Sequence, residues 1–232
     1  MRCAPTASGR PPADGGPVMP TTARGALLSV VALLLALVLG ILAGRALPSA
    51  PAGNSVDVGF ARDMATHHSQ AVAMAYTAIQ TAPSEEVRRL AVDVASTQGN
   101  QAGRLQQLLI TWDQPLSSAG TGVMAWMAGT DLHARHVVEQ RQGRVMPGMA
   151  TPAELARLGA ETGQVFEVDF LQLLLRHHAG GVEMAQYGAE HATTAEVRDL
   201  AAAIVTSQRA ESQLLEDLLA QRGAQPLPGA VA

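Results

Sequence analysis

The sequence predicts an all-α protein whose main domain contains two copies of one helical hairpin. Residues 60–109 align without a gap onto residues 170–219, and 16 of the 50 paired positions are identical. Self-similarity of this kind marks a duplicated supersecondary unit. The composition agrees, because the chain is 47% hydrophobic but only 3% aromatic, as expected for helices rich in Ala and Leu. Two hairpins give four long helices that share one core.

The chain divides into segments of different composition. We expect a disordered cytoplasmic N-terminus at residues 1–23, a transmembrane anchor at 26–44, a linker at 45–55, a helical bundle at 56–222 and a tail at 223–232. The bundle comprises repeat one at 56–112, a connector at 113–150 and repeat two at 151–222. Pro, Gly and Thr dominate the first segment, a composition that does not form a packed core.

Residues 26–44 carry no charge. A run of this length can span a bilayer and is longer than the apolar core of a usual signal peptide. Three arginines and one aspartate precede it, so the positive-inside rule keeps the N-terminus in the cytoplasm and places the remaining chain outside. The alternative is cleavage near residues 50–52, which would give a secreted domain.

The single cysteine, Cys3, precedes the apolar run. The exported part therefore has no disulfide, and a metal site there must use His, Met, Asp or Glu. Methionine suits an oxidising compartment, because its thioether is lost to oxidation less readily than a cysteine thiolate.

Helix ends can be read from capping residues. Ser84 and Thr151 are candidate N-caps, and Pro152 suits a first helical position. We expect helices over about 56–80, 85–112, 152–191 (bent near Gly159 or Gly163) and 194–222.

Each repeat carries a His-His pair followed at a fixed distance by Met. Neutral imidazole and thioether both bind metals, and the soft thioether favours copper. On a helix the first His of each pair and the Met lie on one stripe, whereas the second His lies about 100° round the helix. We expect the core ligands to be His67, His68, Met74, His177, His178 and Met184, with Met64, Met146 and Met149 as additions. The alternative reading makes them hydrogen-bonded core histidines and gap-filling methionines.

The connector adds two further features. Met146-Pro147-Gly148-Met149 forms a loop, because Pro-Gly breaks helices. His133 and His136 share one face of a short helix, which is either a ligand pair or a solvated surface.

Several functional classes lack their motifs. No His follows a Glu by three positions, as a di-iron bundle requires, and the zincin, P-loop and nucleophile-elbow motifs are absent. No Cys-x-x-Cys-His attaches a haem, although His and Met are both axial haem ligands. The net charge of −4 argues against nucleic acid. We expect a protein that is not an enzyme.

The segment from Phe60 to Ala75 resembles the first signature of the DUF305 family, and the segments Met146–Met149 and Phe170–Ala185 resemble its second. The resemblance implies a ferritin-like four-helix bundle, usually exported, and some members bind copper through Met and His. The chain departs from the family pattern at Leu173, Leu174 and Leu175, where Met is common, so fewer thioethers lie near His177.

The leading hypothesis is a membrane-anchored extracytoplasmic protein that sequesters or transfers copper, as Cu(I) rather than Cu(II). Asp63, Gln70 and Glu183 would then orient the imidazoles. Its partners would be the metal ion, the membrane and either a second copy or a metal-transfer protein. The alternative is a helical scaffold or oligomerisation module with structural or pH-sensing histidines.

Overall fold

The computed structural model describes residues 21–46, 50–118 and 122–228. These residues form seven α-helices, one short 3-10 turn at Ala125–Met127 and no strand, which confirms the all-α prediction. The helices are α1 (Thr21–Ala46), α2 (Val56–Thr81), α3 (Glu85–Thr111), α4 (Asp131–Arg141), α5 (Pro152–Ala160), α6 (Gly163–His191) and α7 (Ala195–Gln221).

The chain separates into two compact units, residues 1–49 and 50–232. The first unit contains α1, whose leucines are largely exposed, with Leu33 at 71% and Leu39 at 65%. Within the described ranges no helix has the length and apolarity needed to cross a membrane. Residues 1–20, which make up most of the predicted disordered N-terminus, and the last four residues of the tail lie outside the described residues.

The second unit is organised around two helical hairpins. Helix α2 packs against α3, α6 packs against α7, and α2 packs against α6. The predicted caps are present: the Ser84 hydroxyl accepts the Val87 N–H, and Thr151 forms a reciprocal capping box with Glu154. These caps satisfy backbone donors that the first helical turn leaves unpaired.

Two carboxylates cap helices of the opposite hairpin. Asp57 in α2 accepts the backbone N–H and hydroxyl groups of Thr193 and Thr194 at 2.7–3.0 Å, at the start of α7. The residue 110 positions later, Glu167 in α6, accepts the Ser84 N–H at 2.7 Å, at the start of α3. The first long helix of each hairpin therefore anchors the second helix of the other hairpin.

The helix predicted over 152–191 is broken into α5 and α6. Glu161 and Thr162 are extended, and Gly163 has a positive φ of 65°. The expected bend is a complete interruption, because the extended Glu161 and Thr162 end α5 before α6 begins at Gly163.

The apolar core consists of two clusters. Cluster one includes Met74, Phe166 and Phe170, and cluster two includes Phe60 and Trp126. In both α2 and α6 the His-His pair falls between the residues of one cluster and those of the other. We call the polar side chains at this level the histidine layer, which consists of the partly exposed Glu211 and the buried His67, His68, His177, His178, Gln98, Gln101 and Gln208.

Candidate metal centre

The two His-His pairs meet where α2 packs against α6. His67, His68, His177 and His178 all have no exposed surface. The rings of His67 and His177 lie against each other, with centroids 3.8 Å apart and planes 36° apart. The structure thus brings together the four histidines that the duplication pointed to.

Three of the four imidazoles are held by a hydrogen bond of the same kind, made by Nε2. His67 Nε2 lies 3.0 Å from the Pro147 carbonyl oxygen, His177 Nε2 lies 3.0 Å from the His67 carbonyl oxygen, and His68 Nε2 lies 2.8 Å from Gln101 Oε1. Because these oxygens only accept, each Nε2 carries the proton and each Nδ1 keeps its lone pair. None of the three Nδ1 atoms has a hydrogen-bond partner within the described part of the chain.

Burial keeps these imidazoles neutral. Removal from water lowers the pKa of His67 to about 4 and that of His68 to about 3, and it lowers the pKa of His177 well below its ordinary value. Neighbouring imidazoles in the layer act in the same direction, since like charges disfavour protonation. Neutral imidazole is the form that binds a metal.

His178 is held differently. Its Nδ1 donates to the Leu174 carbonyl oxygen at 2.7 Å, and its Nε2 lies 2.7 Å from Glu211 Oε2. Because the carbonyl oxygen only accepts, Nδ1 carries a proton, and both ring nitrogens of His178 are engaged. Glu211 stands at the position of Gln101 in the other repeat, so the duplicated site is chemically asymmetric.

Two buried amides complete the layer. Gln98 Nε2 lies 3.3 Å from His178 Nε2, and the amide of Gln208 has no hydrogen bond to any described residue. Gly181 admits the Gln208 side chain, because a Cβ at position 181 would overlap its Oε1. The signal for both amides was their identity between the repeats, although sequence analysis did not assign them to the site.

The methionines are divided unequally between the two clusters. Cluster two contains Met64, Met146, Met149 and Met184 together with Met124 and Met127, which sequence analysis did not assign to the site. Met74 lies in cluster one, two helical turns or about 10 Å along α2 from His67. The structure therefore gathers thioethers on one side of the histidine layer and does not bring Met74 together with Met184.

The Met-Pro-Gly-Met loop sits directly on the histidine layer. Its Pro147 carbonyl accepts from His67, and Gly148 has a φ of 71°. A Cβ at Gly148 would overlap the Arg176 carbonyl, and a Cβ at Gly180 would overlap Pro147. Glycine on both sides is what allows the loop and α6 to touch backbone to backbone.

The predicted orienting residues contact groups other than the imidazoles. Asp63 accepts the Met124 N–H at 2.7 Å, Gln70 bonds both backbone groups of Ala150, and Glu183 pairs with an arginine of α4 at 3.0 Å. These contacts fix the connector onto the bundle. The imidazoles are instead oriented by Gln101, Glu211 and backbone carbonyls.

The donor set is not that of a preformed zinc site. Among the described residues, no group of three or more His, Cys, Asp or Glu side chains is arranged to hold a metal ion. A structural zinc ion takes four such ligands. A metal bound at this layer would need thioether donors or a shift of the stacked rings.

A family comparison covers most of the second unit. The model of DUF305, a domain of unknown function, matches residues 57–219. No functionally curated protein shows detectable similarity to the chain.

Solved structures show the same fold. A DUF305 protein from Streptomyces coelicolor, described as secreted, is 44% identical with a TM-score of 0.67, over 76% of this chain and 99% of that one. A DUF305 fragment from Deinococcus radiodurans is 30% identical with a TM-score of 0.59, over 75% and 99%. CopM in its Cu(I)-bound form is 21% identical with a TM-score of 0.53, over 71% and 96%, and Cu(II)- and Ag-bound forms of CopM are similar too.

Proposed function

The chain belongs to the DUF305 family, and we propose that its helical domain binds copper as cargo that it sequesters or hands on. We propose Cu(I) in preference to Cu(II), because thioethers are soft ligands. CopM, which shares the fold, has been solved with Cu(I), Cu(II) and Ag bound. Nothing in this proposal requires turnover, and we propose a binding protein and not an enzyme.

One observation carries the proposal: neutral imidazoles with free Nδ1 lone pairs adjoin a cluster of six methionines. The two donor types meet at His67. Met64 lies three residues earlier on the same helical face, and Pro147, whose carbonyl binds His67, lies between Met146 and Met149. We place the first bound ion on this side of the layer.

The remaining proposed ligands extend this centre. His177 stacks on His67, and His68 and Met184 supply further nitrogen and sulfur on the same layer and in cluster two. His178 would have to release Glu211 before it could bind a metal, because both of its ring nitrogens are engaged. Met74 could bind only an ion that lies between the histidine layer and cluster one.

Access to the buried histidines passes the Met-Pro-Gly-Met loop. A cavity of about 130 Å³ lies beside this loop, and its lining includes Pro147, Gly148, Gly180, two carboxylates (Glu139 and Glu183) and three arginines (Arg135, Arg144 and Arg176). Pro147 therefore faces the cavity and also binds His67. The cavity carries more arginines than carboxylates, so its position beside the loop, and not its charge, leads us to propose that copper enters here when the loop shifts.

The test is a titration of the full-length chain in detergent with Cu(I) under a competing chelator. The double substitution His67→Asn with His177→Asn should abolish tight binding, and Met146→Leu should weaken it roughly tenfold or more, which is about 1.4 kcal/mol. Unchanged affinity in the double variant would overturn the proposal.

Two matched controls accompany the titration. Met74→Leu removes a thioether of cluster one with little change in volume, and His191→Asn removes an imidazole outside the layer. Both variants should bind copper as the parent chain does. Equal losses in Met74→Leu and Met146→Leu would contradict the assignment to the cluster two side.

We further propose that the four long helices α2, α3, α6 and α7 form a ferritin-like four-helix bundle and that residues 26–44 anchor it outside the cytoplasm. The apolar run and its flanking arginines support the anchor, and a similar protein is described as secreted. Carbonate washing of membranes tests this: an anchored chain stays in the pellet, whereas release of the intact chain contradicts the anchor.

A second function has its own support. Every imidazole of the histidine layer already has at least one hydrogen-bonded nitrogen, which is what a scaffold with structural or pH-sensing histidines requires. That function predicts that chelators leave the melting temperature unchanged and that added copper does not raise it. Copper-dependent stabilisation would exclude it as the sole role.

A further inference from the structure

A second pair of histidines lies outside the histidine layer, on α4. His133 and His136 are three residues apart and share a helix face. Their ring centroids are 6.1 Å apart. Helix α4 contacts the 3-10 turn that holds Met127, and Leu132 beside the pair packs against cluster two. The pair therefore stands next to the thioether-rich side of the core.

Three of the four ring nitrogens of this pair are buried and have no hydrogen-bond partner among the described residues. His136 is only 1% exposed, yet neither Nδ1 nor Nε2 of His136 bonds to any described residue, and the same holds for His133 Nδ1. In the histidine layer each ring has at least one bonded nitrogen. A buried imidazole with both nitrogens unpaired is unusual in a folded protein, so His136 lacks the contacts of a structural core histidine.

Two charged residues close to the pair on α4 are engaged with other segments. Arg135 pairs with Glu183 at 3.0 Å, and Glu139 accepts the Gly148 N–H at 3.1 Å. Burial and the nearby His133 lower the pKa of His136, so its ring is neutral at neutral pH.

We propose that His133 and His136 form a second metal site, separate from the histidine layer, that takes a soft monovalent ion of the Cu(I) or Ag(I) class. Each ring centroid lies beyond its nitrogen, and metal–nitrogen distances are about 2.0–2.1 Å. Two imidazoles on a shared ion therefore have their ring centroids roughly 5–6 Å apart. The observed centroid separation is close to that span.

The number of donors selects the ion class. No third His, Cys, Asp or Glu in the described ranges joins the pair, whereas zinc sites have at least three protein ligands. A d10 monovalent ion is satisfied by two imidazoles, with a thioether as a further soft ligand. The inference stands independently of copper binding at the histidine layer.

The first test uses the wild-type full-length chain in detergent, labelled with nitrogen-15 at histidine, and adds Ag(I) as the probe. Resonances of the His133 and His136 rings, assigned through His133→Gln and His136→Gln, should shift strongly on metal addition. Unchanged ring resonances for both residues at saturating Ag(I) would overturn the proposal, and this measurement needs no variant to fold except the two used for assignment.

The second test counts bound ions by chelator competition. A chain with His67→Asn and His177→Asn should retain a bound ion that is lost when His133→Gln and His136→Gln are added, and His191→Gln should retain it. Retention of that ion without the α4 histidines would contradict the site. Absence of metal binding at the histidine layer would contradict only the proposed function, whereas absence of the ion held by the α4 histidines would contradict only this inference. The two failures are therefore distinguishable.

Discussion

At the residue scale, the protonated nitrogen of each imidazole and the glycines beside the layer determine which ring nitrogens can bind a metal and how closely the loop packs. The duplication identified the four histidines from sequence, because only positions under a shared constraint stay alike in both repeats. It could not identify their acceptors. The Pro147 carbonyl comes from a distant loop, and the difference between Gln101 and Glu211 has meaning only once both face a histidine.

The contact between the loop and α6 gives a prediction for Gly180. A Cβ there would overlap the Pro147 backbone, which cannot move without losing its bond to His67. Gly180→Ala should therefore lower the free energy of unfolding by about 2 kcal/mol or more. Urea unfolding followed by circular dichroism measures the change.

Gly103→Ala is the matched control. Position 103 lies inside α3, and a Cβ there meets no described atom within 4 Å. The substitution should raise stability by roughly 0.5–1 kcal/mol, as expected for an exposed helical glycine. Equal changes in the free energy of unfolding for Gly180→Ala and Gly103→Ala would contradict close packing of the loop against α6.

At the element scale, local signals predicted the helices, and long-range contacts fixed how they end. Ser84 and Thr151 were recognisable as caps because the capping pattern lies within four residues. The exchanged caps were not predictable, since Asp57 and Thr193 are far apart in sequence and meet only in the folded hairpin pair. The break between α5 and α6 was underestimated, because a glycine alone does not distinguish a bend from an interruption.

The exchanged cap at Asp57 gives a second prediction. Asp57 is buried and accepts four hydrogen bonds from Thr193 and Thr194. Asp57→Ala should cost about 2–4 kcal/mol and should speed hydrogen exchange in the first turn of α7. Asp93→Ala, which alters an exposed carboxylate on α3, should do neither.

The location of the exchange effect is the decisive part of that experiment. Because the Asp57 carboxylate contacts the start of α7 and not that of α3, protection around Val87 should persist. Uniform loss of protection in both helices would indicate global destabilisation and contradict a local cap.

At the scale of the whole molecule, three buried neutral imidazoles make stability depend on pH. The folded-state pKa values of His67, His68 and His177 lie below the ordinary value of 6.5. The unfolded chain therefore binds more protons in acid, and stability falls as the pH drops below about 6.5 toward about 4.

The slope of that loss is roughly 1 kcal/mol per pH unit for each histidine. Thermal unfolding at a series of pH values measures it. At lower pH a second loss follows: although burial opposes it, Arg176 and Thr151 hold the pKa of Glu154 at about 2, below its ordinary 4.5, so its stabilisation disappears between those values. A melting temperature that is flat from about pH 7 to about pH 5 would contradict neutral buried histidines.

The whole-molecule organisation was partly foreseeable. Helical class and hairpin pairing follow from composition and the internal repeat. The unequal division of methionines between the two clusters was not foreseeable, because the helical stripe placed Met74 and Met184 in equivalent roles, whereas the connector adds its methionines to one side only.

The most direct test of the central claim is X-ray absorption at the copper edge of the Cu(I)-loaded full-length chain. We expect nitrogen and sulfur scatterers together, with the sulfur contribution reduced by Met146→Leu and unchanged by Met74→Leu. A spectrum with nitrogen and oxygen alone, unaffected by either substitution, would contradict a centre built where the histidine layer meets the methionines of cluster two.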